Sequence, residues 1–108
     1  MPCRGEEIYL RALIRNGSAT EETETVLPIE DGEYMSFYGQ SFDVHVLIET
    51  IEEEAVILEF LAIHPCSTRY DGKVQRLCRE QRFQCSFSHT TEDGATESIS
   101  FLAVYGPK

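Results

Sequence analysis

Apolar residues in this chain recur at every second position, segment after segment, and that period belongs to β-strands. Ile8, Leu10, Ala12 and Ile14 alternate with Tyr9, Arg11, Leu13 and Arg15. Phe42, Val44, Val46 and Ile48 alternate with Ser41, Asp43, His45, Leu47 and Glu49. Phe83, Cys85 and Phe87, then Ile99, Phe101, Ala103 and Tyr105, repeat the pattern. Such spacing puts one face of a strand on a core and the other in water. Between residues 55 and 63 both sets are apolar: Val56, Leu58, Phe60 and Ala62 against Ile57, Leu61 and Ile63. That predicts a central strand covered on both faces.

Turn signals separate these runs. Asn16-Gly17 suits a type I′ hairpin, and Asp31-Gly32 and Thr91-Glu92-Asp93-Gly94 mark two further turns. The Thr- and Glu-rich stretch from Ser18 to Leu27 reads as a solvated edge strand or loose loop, ended by Pro28. Tyr34, Met35, Phe37 and Tyr38 make a short aromatic strand broken by Gly39, and Glu52-Glu53-Glu54 a charged turn. One segment departs from period 2. Val74, Leu77 and Cys78 stand at i, i+3 and i+4, so one short helix over 71–81 competes with a strand. The expected fold is all-β: an antiparallel β-sandwich or small barrel of six to eight strands.

A chain of 108 residues, 42% of them hydrophobic, suffices for a single domain over 1–108 that needs no disulfide or metal to hold it. No stretch approaches the roughly 18–20 apolar residues that cross a bilayer as a helix, so no membrane partner is expected. The first residues carry Arg4, Glu6 and Glu7 where a signal peptide would be apolar. This favours the cytoplasm; a secreted or periplasmic protein would have to have lost a leader.

Charge is the strongest compositional signal. Nine basic residues face 19 acidic ones, for a net charge of −10. Direct binding of nucleic acid, which depends on neutralising phosphates, is therefore not expected. No Lys or Arg lies between Asn16 and Phe60, whereas Arg69, Lys73, Arg76, Arg79 and Arg82 crowd into 69–82. The distribution predicts an acidic surface and a compact basic one, complementary enough for head-to-tail self-association into a homo-oligomer.

Motifs of catalysis are missing. There is no phosphate-binding glycine loop, C-x-x-C, H-E-x-x-H or nucleophile elbow. Asp43 and His45 share a strand face, with Ser41, Ser86 and Ser88 as conceivable nucleophiles, but only folding could assemble a triad. His64, Cys66, Cys78 and Cys85 form a chemically valid zinc set without the paired spacing of structural zinc sites. A disulfide within the Cys66–Cys85 cluster is the other use for these thiols. Asn16-Gly17-Ser18 fits a glycosylation sequon that the turn already explains. Tyr34, Phe37, Tyr38 and Phe42 around Gly39-Gln40 divide between a recognition surface and core.

These features add up to a non-enzymatic protein-interaction module, a small acidic accessory or adaptor protein with no cofactor. Its partner is another protein with a basic surface, bound through acidic and aromatic surface. The residues nominated are Glu21, Glu22, Glu24, Glu52, Glu53, Glu54 and Tyr38, with Arg76 and Arg79 on an opposing patch. The alternatives are an acidic nucleic-acid mimic that inhibits a DNA- or RNA-binding protein, and a small metal-binding domain.

Overall fold

The computed structural model describes residues 6–64 and 70–106. They form eight strands and no helix: β1 (Glu7–Asn16), β2 (Ala19–Pro28), β3 (Tyr34–Tyr38), β4 (Asp43–Ile51), β5 (Ala55–Ile63), β6 (Tyr70–Cys78), β7 (Arg82–Thr90) and β8 (Thr96–Tyr105). All pairings are antiparallel, in two four-stranded sheets of order β2-β1-β8-β7 and β3-β4-β5-β6. The sheets pack face to face as a sandwich.

Every ladder but one joins strands consecutive in sequence; the exception is β1 on β8. The chain thus passes up and down around the core, changing sheets only from β2 to β3 and from β6 to β7. No ladder bridges either crossing among the described residues, so the sandwich has two open seams.

The alternating sequence explains the core. Ile8, Leu10 and Ala12 of β1 and Ile99, Phe101 and Ala103 of β8 face Val44, Val46, Leu58 and Phe60 of the other sheet, all buried. Phe101 is central, with ring centroids 5.2 Å from Phe37 and 5.5 Å from Phe60. Such edge-to-face and tilted contacts are favoured by the ring quadrupole.

Three expectations need correction. Residues 71–78 belong to β6, not to a helix. Only Leu77 of the supposed helical face is buried, while Val74 points outward and is exposed. As an edge strand, β6 turns polar Asp71, Lys73 and Gln75 toward its open seam, which erased the alternation. β5 is not covered on both faces: Ile57, Leu61 and Ile63 are half-exposed, since none of the described residues forms a layer outside the two sheets. The first hairpin turns on Gly17-Ser18 rather than Asn16-Gly17, because Asn16 still pairs with Ala19. Gly17 has φ 64° and Ser18 has no positive φ, the pattern of a type II′ turn. Of the two readings of the Ser18–Leu27 stretch, edge strand or loose loop, the structure shows the edge strand, running from Ala19 to Pro28.

Candidate functional site

The polar residues of β2 follow from its place at the sheet edge. Its side toward β1 is satisfied by the ladder, and its other side meets no strand among the described residues. Residues 19–24 are exposed throughout. Glu22 and Glu24 stand on the outer face, in register with Leu13 and Arg11; Glu21 stands on the opposite face, in register with Ile14. Arg11 Nε meets Glu22 Oε1 at 2.7 Å, and the carboxylate raises the pKa of the guanidinium. The Tyr9 phenol is also raised, first by burial and then by its hydrogen bond to Glu24.

β3 lies across the seam from β2. Its alternation sends Phe37 into the core and leaves Tyr34 and Tyr38 61% and 69% exposed. The expected aromatic group therefore divides: Phe37 and Phe42 are core, and the two tyrosines are surface. Tyr38 and Glu21 share a cleft of about 290 Å³ with Ile14, Thr20 and Gln40. Folding thus brings Glu21 and Tyr38 together at the cleft, whereas Glu22 and Glu24 stand on the outer face of the β2-β1-β8-β7 sheet.

The floor of that cleft is a buried carboxylate the sequence did not single out. Glu97 of β8 is 3% exposed, yet it accepts hydrogen bonds from the amides of Gln40 and Ser41 and the Ser41 hydroxyl, each at 2.8 Å. Burial alone would push its pKa up. The amides of Gln40, Ser41 and Phe42 and the Ser41 hydroxyl outweigh burial and hold it below the usual value. Asn16 also donates to Gln40 Oε1 at 2.8 Å, tying the first hairpin to the same loop. A Cβ on Gly39 would stand 2.6 Å from both Glu97 Oε1 and the Phe42 carbonyl oxygen, so only glycine fits there. A glutamate inside a strand gives no signal in sequence; Gly39 beside an aromatic run was the one visible trace.

The remaining nominated residues gather elsewhere. Arg76 Nε meets Glu52 Oε1 at 2.6 Å, and Arg79 binds Glu6 at 2.8 Å and Glu54 at 2.9 Å. Arg79 also donates to the Glu53 carbonyl oxygen at 3.0 Å and lies over the Tyr105 ring. The Arg79 hydrogen bond, followed by one from Tyr105, lowers the Glu6 pKa; the Glu52 hydrogen bond raises that of Arg76. Arg76 and Arg79 do not oppose the 52–54 turn but lie against it, each paired with its carboxylates.

At the β6–β7 seam, His64 is 8% exposed and stacks on Phe42 at 5.4 Å, with the His89 ring at 4.8 Å. Its Nδ1 has no hydrogen-bond partner among the described residues, and Nε2 lies 3.7 Å from Asp71. The zinc set does not close. Cys78 sits beside Ala55 at the far end of the β5–β6 hairpin from His64, and Cys66 lies outside the described residues. Cys78 and Cys85 are free thiols on different sheets, and burial pushes Cys85 up to about 11. No three metal-ligating side chains converge among the described residues.

His45 Nδ1 is 2.7 Å from Ser36 Oγ across the β3–β4 ladder, on the outer sheet face. Asp43 makes no hydrogen bond to this imidazole, and none of the main clefts includes the pair. Those contacts lack the oriented base and enclosed site that a catalytic triad requires. No helix among the described residues is long and apolar enough to cross a membrane.

No protein-family model matches the chain, and comparison with curated proteins and with solved structures finds no significant match.

Proposed function

We propose that this domain is a protein-interaction module that binds a basic partner through the acidic and aromatic edge formed by β2 and β3. The observation that carries the reading is a sorting of charge by the fold. Glu21 and Tyr38 line the open seam, and Glu22, paired with Arg11, and Glu24 stand on the outer face of the same edge strand. Arg76 and Arg79 are engaged elsewhere, by Glu6, Glu52 and Glu54. A carboxylate-rich edge steers cationic partners and rejects anionic ones. Tyrosines beside it add contact area at little entropic cost. The pairing of Glu52 and Glu54 shortens the acidic tract on which a nucleic-acid mimic would depend, so the protein-binding reading is preferred.

The test uses a lysine-rich peptide and the full chain. Replacing Glu21, Glu22 and Glu24 with lysine should weaken binding at least tenfold and flatten its salt dependence. A control with Glu49, Glu59 and Glu92 replaced by lysine has the same net charge and should lose much less. Equal losses in both variants would show that net charge, not this edge, attracts the peptide.

A further inference from the structure

We infer that the β2 edge takes its partner by strand addition, extending the β2-β1-β8-β7 sheet with an extended basic segment of another protein. The inference rests on the reading above that this edge binds a basic partner, and it specifies the conformation in which that partner is held.

β2 runs ten residues, Ala19–Pro28, and every rung of its ladder is made to β1. In an antiparallel pair the backbone groups of alternate residues point away from the partner strand. On β2 those groups face the seam, where no strand among the described residues pairs with them. β3, across the seam, is only five residues long and belongs to the other sheet. Such an edge is a template for another strand, with backbone hydrogen bonds giving affinity and alternate side chains giving specificity.

The side chains state which strand fits. Glu22, Glu24 and Val26 stand in sequence on the outer face, where Glu22 already holds Arg11 and Glu24 the Tyr9 phenol, and Val26 is exposed. A segment with cationic residues at alternate positions, followed by an apolar one, complements that row. Glu21 and Tyr38 at the cleft then receive a further cationic side chain on the opposite face. The same glutamates place like charges against a second copy of β2. They therefore discourage self-pairing while admitting a basic strand, so edge protection and partner selection reside in one set of residues.

The experiment compares three forms of a ten-residue peptide of alternating lysine and threonine with a valine near one end, titrated against the full chain. One form is unmodified; the others are N-methylated at odd or at even residues. Strand addition uses only one set of peptide amides, so methylating that set should weaken binding at least tenfold and methylating the other should change it little. Equal effects from the two sets, or none from either, would overturn strand addition while leaving electrostatic binding in place. Failure of the unmodified peptide to bind at low salt would overturn both strand addition and the underlying reading.

Discussion

Glu97 is the residue on which the polar end of the sandwich depends. Its carboxylate is nearly inaccessible, and the 39–42 loop is wrapped around it through backbone amides. A charged acceptor among donors of this kind is stabilising only while it is ionised. Because the folded pKa lies below the unfolded one, its contribution is complete at neutral pH and disappears as pH falls through the folded value. Urea midpoints should therefore hold steady down to about pH 5 and then decline. In Glu97→Gln the acid decline should be shallower, since one of the groups that drives it is gone. A slope identical to the parent protein's would show that Glu97 is not held in its charged form. Gly39→Ala tests the same nest sterically: the new methyl meets a carboxylate oxygen and a backbone oxygen, each 2.6 Å away. Overpacking of this kind costs about 1–3 kcal/mol. A midpoint unchanged from the parent's would mean that the loop relaxes freely away from Glu97.

Among the elements, the strands that carry the core were legible because burial imposed period 2 on them. β1, β4 and β8 each place buried apolar residues opposite polar or half-exposed ones. β6 was not legible, and the reason is its position. An edge strand beside an open seam can turn Asp71 and Lys73 inward without desolvating them, so its apolar residues fell by chance at helical spacing. The acidic edge was legible as composition, but the meeting of Glu21 with Tyr38 was not, since only the crossing from β2 to β3 sets those two side by side. Arg76 and Arg79 were misplaced for a similar reason: the β5–β6 register sets Arg76 against Ile57 and Cys78 against Ala55, bringing both cations onto the 52–54 turn. Arg79 is the sharper test of that arrangement, because it ties the start of β1 to the β4–β5 turn. Arg79→Ala should lower stability by about 1–3 kcal/mol through lost hydrogen bonds to charged partners. Loss of only a few tenths would assign these contacts to the solvated surface, where ion pairs contribute little.

The whole molecule follows from an up-and-down chain closed by a single long-range ladder. β1 and β8 occupy the middle of one sheet and β4 and β5 the middle of the other, so these strands are paired on both sides. Their amides should exchange with solvent last, and those of β2, β3, β6 and β7 earlier, because local opening begins where a strand has only one neighbour. A fully closed barrel would have no such edges. Leaving two seams open exposes backbone that must be protected by charge or used by a partner; under the proposed function, the glutamates of β2 would serve both ends.

Hydrogen exchange of the full chain, read by mass spectrometry with and without the lysine–threonine peptide, tests the proposed docking edge most directly. With the peptide at low salt, amides of residues 19–28 should gain protection, with a smaller gain over 34–38, and both gains should fade as salt is raised. Protection confined to the 52–54 turn and the end of β6, or no change in β2 at saturating peptide, would contradict the assignment of this edge as the binding surface.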